Sequence, residues 1–181
     1  MEFKALDPNG PVLLIPRIFG DERGFFMETF RQNEFEEHCG KHEFVQDNHS
    51  KSGGNVLRGL HYQLKNPQGK LVRVISGKVF DAVVDLRRSS PNFGKSYGVI
   101  LDAEARHSLW VPPGFAHGFL VLEDNTEFVY KCTAYYDPTD EHCLLWNDPE
   151  LGINWPLTGA EPVLSAKDRK GLPLRNAAKY V

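Results

Sequence analysis

The chain has 181 residues, which suits one domain large enough to bury roughly 70% of its unfolded surface without disulfide or metal staples. Twenty-one Lys and Arg against 24 Asp and Glu give a net charge of −3, without the basic stripe of a nucleic-acid binder. Three cysteines lacking CxxC spacing argue against a disulfide framework, no apolar run reaches the ~20 residues of a membrane span, and Glu2 and Asp7 interrupt any signal-peptide pattern, so the expected location is the cytoplasm.

In chain order, the first strand expected is Val12–Ile15, set between Pro11 and Pro16. One helix follows near Glu34–Cys39, with Asn33 as its cap, Glu36 three residues on, and Gly40 at its end. Asn55–Leu64 reads as a strand after Gly53-Gly54. Leu71–Ile75 and Val79–Leu86 flank Ser76-Gly77-Lys78, which predicts a tight hairpin. Tyr97–Leu101 and Ser108–Val111 are strands, the second stopped by Pro112-Pro113-Gly114. Phe119–Leu122 and Phe128–Tyr136 are joined by the turn Glu123-Asp124-Asn125. From Pro138 the composition turns to Pro, Gly and Trp and reads as an ordered arm. Within it, Ser165 and Asp168 have capping-box spacing for a short turn over Ser165–Gly171.

Sixteen Gly and 12 Pro are spread along the chain, and aromatics reach 12%. Many short strands with almost no helix predict an all-β fold. It is a double-sheet antiparallel jelly roll with one or two short helices, over residues 1–181, with a C-terminal arm from about 138 to 181.

In such a barrel, inward side chains alternate along each strand, so parity selects candidates. Phe128, Tyr130, Cys132, Ala134 and Tyr136 share one face. If that face points inward, two tyrosine hydroxyls enter an apolar cavity; two ordinary core tyrosines would give the same pattern. RGLHYQ (Arg58–Gln63) places His61 on a strand, and PPGFAHGF (Pro112–Phe119) brings His117 to a strand start. Two strand histidines distant in sequence can meet inside a barrel. Neither has a second ligand at spacing two, since Gly59 and Gln63 flank His61 and Phe115 and Phe119 flank His117. A metal site is therefore not expected.

Acid–base chemistry remains. A histidine in an apolar pocket serves as a general base when a carboxylate orients it. Asp168 is one candidate partner, although it equally suits a turn cap; Asp81 and Asp85 are rivals. Lys70, just before an apolar strand, places a cation at the barrel mouth. Arg23 and Arg58 offer planar donors suited to a diphosphate. Arg58 and His61 are three residues apart, so a regular strand sends them to opposite faces unless Gly59 introduces a bulge.

The blocks DERGFFMETF, FVQDNHSKS, RGLHYQ, QGKLVRVISG, VDLRRSSPNFG, PPGFAHGF, EFVYKCTAYY, WNDPELGINWP and LSAKD, in this order, resemble the dTDP-4-dehydrorhamnose 3,5-epimerase family. They run from Phe19 to about Asp168. The resemblance implies a cupin-type jelly roll without metal or cofactor, acting as a homodimer on a dTDP-linked 4-keto-6-deoxyhexose. It implies His61 as general base with Asp168 as dyad partner, Tyr130 as general acid, and Lys70 beside the sugar's 4-oxygen. Arg23, Glu28, Gln46, Asn48, Arg58, His117, Glu141 and Lys167 match positions that contact the nucleotide sugar. Asp47 lies in the same loop, and Tyr136 shares the face of Tyr130. The reaction implied is inversion at C3 and C5 of dTDP-4-dehydro-6-deoxy-D-glucose. The alternatives are an epimerase acting at one carbon, a non-catalytic nucleotide-sugar-binding cupin, and a metal-dependent cupin enzyme.

Overall fold

The computed structural model describes residues 1–181. Its thirteen strands are β1 (Glu2–Ala5), β2 (Val12–Ile15), β3 (Ile18–Asp21), β4 (Gly24–Met27), β5 (Gln46–Ser52), β6 (Leu57–Gln63), β7 (Lys70–Ser76), β8 (Lys78–Asp85), β9 (Ser96–Asp102), β10 (Ser108–Val111), β11 (Phe115–Val121), β12 (Thr126–Cys132) and β13 (Glu141–Cys143). One sheet has the order β1-β2-β10-β7-β12-β5 and the other β13-β6-β11-β8-β9; β3 and β4 pair only with each other. All these pairings are antiparallel. This is the jelly roll that the strand pattern predicts.

The five-stranded sheet is covered on both faces at β8 and β11, which is why these two strands read as near-continuous apolar runs. Between the sheets, Val72, Val74 and Phe128 of one meet Val79, Val83, Phe115 and Phe119 of the other. Phe119 and Phe128 stack across this layer with ring centroids 4.1 Å apart. Along β8 the alternate residues Ala82 and Val84 face outward, where Leu144, Leu151, Leu174 and Ala177 of the C-terminal arm cover them. The outer face of the six-stranded sheet is covered by the single helix, Gln32–Cys39, whose Phe35 packs edge-on against Trp110 at 5.0 Å.

Four expectations need correction. The helix begins at Gln32, with Arg31 rather than Asn33 in the cap position and no capping side chain. Burial of Phe35 sets its register instead. Ser76-Gly77-Lys78 is not a hairpin, because β7 and β8 lie in different sheets. Gly77 carries the chain between sheets at φ +77°, against Thr126, where a Cβ would lie 2.2 Å from Oγ1. The strand at Phe119 begins earlier, at Phe115. The strand from Phe128 ends at Cys132, because glutamine side chains take over the backbone beyond it. Tyr136 N–H donates to Gln46 Oε1 and Asp137 N–H to Gln63 Oε1. β1, β5, β13 and the β3–β4 hairpin are further elements not expected from the strand pattern.

Candidate active site

β6 and β11 pair His61 with His117 and Arg58 with Phe119. Two residues, Gly59 and Leu60, thus oppose Gly118 alone, which is a bulge. Gly59 takes φ +114°, and a Cβ there would lie 2.6 Å from Gly118 Cα. Only a glycine pair lets the two backbones approach this closely. The bulge turns both Arg58 and His61 toward the interior, which resolves their spacing of three.

Two adjoining clefts between the sheets share His61, Lys70, Tyr130 and Glu141. One also contains Arg58, His117, Lys167 and Asp168. The other contains Gln46, Asn48 and Tyr136. His61 comes from the five-stranded sheet, whereas Tyr130 and Lys70 come from the six-stranded sheet. The two groups therefore face the space from opposite walls.

The His61 ring donates Nε2–H to Asp168 Oδ1 at 2.6 Å. The same oxygen accepts the Gly59 N–H at 3.2 Å. Asp168 Oδ2 accepts the Ser165 hydroxyl at 2.6 Å, and the Asp168 N–H donates back to Ser165 Oγ at 3.2 Å. Asp168 is therefore turn cap and histidine partner together, one oxygen for each task. Burial pushes its carboxyl pKa up, but the bonds from His61 and Ser165 outweigh this and hold it below the usual value. The rival carboxylates are committed elsewhere. Asp81, fully buried, accepts from His117 Nε2 at 2.9 Å. Asp85 accepts from Arg87 at 2.7 Å.

Lys70 is 8% exposed, not the solvated strand-end lysine that its position suggests. Burial lowers its pKa, with Cys132, Asp81 and Glu141 opposing. Burial also raises the Tyr130 hydroxyl, chiefly by desolvation, so the phenol stays protonated well above neutrality. Arg58 donates to Ser52 Oγ at 3.0 Å. On the rim, Lys167 donates to Glu141 at 2.5 Å and to the Tyr136 hydroxyl at 3.1 Å. This ties the arm across the opening.

Three residues selected from sequence do not reach these clefts within one chain. Arg23 sits at the exposed tip of the β3–β4 hairpin, bonded to Asp21. Glu28 pairs with Arg31 at 2.7 Å. Asp47 points to the opposite face from Gln46 and Asn48 and pairs with Lys131 at 3.0 Å. Conversely, Ser50, Gln63, Gln68 and Cys132 line the clefts and were not selected. Gln63 shares parity with His61 and Cys132 with Tyr130, so parity alone had marked those two. Ligand spacing within single strands carries no information about donors that separate elements bring together. A ring nitrogen of His61, the Cys143 sulfur and an Asp168 oxygen, from three separate elements, all lie within 4.8 Å of one another.

A family model described as dTDP-4-dehydrorhamnose 3,5-epimerase matches residues 6–176. The chain is 56% identical over 167 residues to the Pseudomonas aeruginosa dTDP-4-dehydrorhamnose 3,5-epimerase, covering 92% of each chain. It superposes with a TM-score of 0.92 on the Legionella pneumophila dTDP-6-deoxy-D-glucose-3,5-epimerase, solved in complex with dTDP-4-keto-L-rhamnose. That pair is 47% identical and covers 97% of this chain and 93% of the other. The Mycobacterium tuberculosis RmlC epimerase gives a TM-score of 0.92 at 42% identity, covering 97% and 89%. Fold, cleft and these likenesses agree: the chain belongs to the dTDP-4-dehydrorhamnose 3,5-epimerase family.

Proposed function

We propose that the protein inverts C3 and C5 of dTDP-4-dehydro-6-deoxy-D-glucose, giving dTDP-4-dehydro-L-rhamnose for dTDP-L-rhamnose biosynthesis. The observation that carries this reading is the apposition of His61 and Tyr130 from opposite sheets across one cleft. Inversion at a carbon requires proton removal on one face and proton delivery on the other. A C–H bond next to a ketone is acidic because the resulting anion spreads onto the carbonyl oxygen, so the step needs neither redox group nor metal.

In this mechanism Asp168 fixes the His61 ring through its 2.6 Å bond and stabilises the imidazolium that forms; the ring's other nitrogen takes the proton. Lys70, desolvated within the barrel, stabilises the charge that develops on the 4-oxygen. Tyr130 returns a proton from the opposite wall. Arg58, His117, Gln46, Asn48, Tyr136, Glu141 and Lys167 then bind the sugar and the anionic diphosphate from the two clefts.

The working unit in this proposal is a homodimer of single-domain chains. The β3–β4 hairpin stands apart from both sheets, and Phe25 and Phe26 are 55% and 70% exposed. Docked on a second copy, it buries these rings and carries Arg23 and Glu28 toward that copy's cleft. No helix is long and apolar enough to cross a membrane. We place the enzyme in the cytoplasm, where its three free cysteines stay reduced.

Incubating the enzyme with the 4-keto sugar in deuterated water tests the reaction. Deuterium is expected at both C3 and C5 and, with His61→Asn, at neither. Label at one carbon alone would overturn double epimerisation, and no exchange would overturn the enzyme reading.

A further inference from the structure

Cys143 has no part in the proposed chemistry, yet it is the direct cross-strand neighbour of the proposed base. β13 and β6 place the Cα of Cys143 opposite that of His61. Asp168 enters from the 3-10 turn at Asp168–Lys170. The three donor atoms within 4.8 Å are a thiol, an imidazole and a carboxylate, the set that zinc-class cations take. Bonds of about 2.0–2.3 Å bring tetrahedral ligand atoms to roughly 3.3–3.8 Å apart, so the His61–Asp168 pair must open from 2.6 Å while Cys143 draws in by about 1 Å. Asp168 is buried and Cys143 is half-buried, so the ion would be partly shielded from bulk water. Glu141, two residues from Cys143, adds negative charge, although Lys167 neutralises much of it. Cys143 opens into an adjoining cleft that Tyr130 does not line, with His61, Tyr62, Glu141, His142, Lys167 and Lys170 around it. An ion can therefore arrive without crossing the space in front of Tyr130.

We propose that His61, Cys143 and Asp168 bind one zinc-class divalent cation per chain, and that its binding switches the enzyme off. The inhibitory part rests on the reading of His61 as base; the binding part does not. The ion takes the ring nitrogen and carboxylate oxygen that otherwise bond each other. The thiol proton leaves to solvent, and the imidazole proton passes by way of solvent from Nε2 to the other ring nitrogen, which frees Nε2 for the ion. The dyad is thereby broken and the base is occupied. Three protein ligands leave a fourth position for water.

The test titrates the purified protein with Co2+, watching for thiolate-to-cobalt absorption, and then displaces the cobalt with Zn2+. One thiolate-bound cobalt per chain is expected, and turnover should fall as zinc fills the site. Cys143→Ser should keep its metal-free turnover, lose the absorption band, and weaken zinc by more than the roughly 10- to 100-fold that loss of an outer partner costs. Cys143→Ala serves as the second variant should serine disturb folding. Absence of the band, or equal zinc inhibition in wild type and variant, overturns the proposal. The absorption needs no sugar substrate. A band in a protein without epimerase activity would therefore indict the function, and an active enzyme without a band would indict only the metal site.

Discussion

His61 and Asp168 are 107 residues apart in the chain, yet their side chains meet at 2.6 Å. The bond joins the five-stranded sheet to the C-terminal arm. The arm therefore takes part in the site's construction as well as covering the barrel.

Asp168→Asn should reduce kcat by about 10²- to 10⁴-fold, the range for loss of oriented general-base catalysis, with KM nearly unchanged. Ser165→Ala removes only one bond to the same carboxylate, worth about 1 kcal/mol, and should cost kcat less than tenfold. Steady-state kinetics check both. An equal loss in the two variants would show that Asp168 acts only as a turn cap.

The lowered pKa of Asp168 has a stability consequence. A carboxyl whose folded pKa lies below its unfolded value of about 3.9 stabilises the fold above that pH. The contribution is lost as pH falls through the folded value. Denaturation curves should therefore show wild type and Asp168→Asn converging in stability below about pH 4, and differing most near neutrality.

Lys70 should show the opposite balance. Lys70 lines the clefts, and desolvation works against its charged form, so the ammonium costs stability. Lys70→Met should therefore raise Tm while abolishing turnover. Its pKa lies below the unfolded value of about 10.4, so the unfolded chain binds more protons there and wild-type stability rises with pH through that window. The Tm gap to Lys70→Met should narrow toward alkaline pH, and the alkaline limb of kcat should fall below pH 10.4. A Tm that drops on substitution would refute the charge-burial account.

Gly59→Ala should destabilise the protein by more than about 2 kcal/mol, since the substitution meets both a positive φ and a 2.6 Å contact. Gly118→Ala should do the same, because a Cβ there would lie 2.6 Å from the Arg58 carbonyl oxygen. Thermal denaturation reads both. A surviving fold with normal Tm would mean that the bulge is not required.

On the homodimer proposal, Phe25→Ser with Phe26→Ser should shift the protein from dimer to monomer in light scattering. Mixing Arg23→Ala subunits with His61→Ala subunits should restore part of the activity that each homodimer lacks. Failure of the mixture to recover activity would count against exchange of the hairpin.

The strands that carry His61 and Tyr130 were legible because each alternates or runs apolar between Gly and Pro breaks; the strand that carries His117 was legible only from Phe119 on, past the histidine itself. The resemblance of nine ordered blocks named the family. What escaped depends on contacts between distant segments. β5 reads as a polar loop in QDNHSKS because it is the edge strand of its sheet, exposed on alternate residues. The strand after Phe128 stops early because Gln46 and Gln63 reach the backbone from elsewhere. Ser76-Gly77-Lys78 has hairpin chemistry, but pairing of β7 with β10 and β12 leaves no free edge for β8. Periodicity also carried no information that Cys143 lies opposite His61.

The stacked rings of Phe119 and Phe128 belong to the two sheets that carry the proposed base and acid. Both rings also border the cleft. They act as a strut that sets the width of the gap across which a proton is removed and returned. The stereochemical outcome is then partly a property of the hydrophobic core. A smaller residue at either position would let the walls drift together, and should degrade the choice of which face is reprotonated before it removes activity altogether.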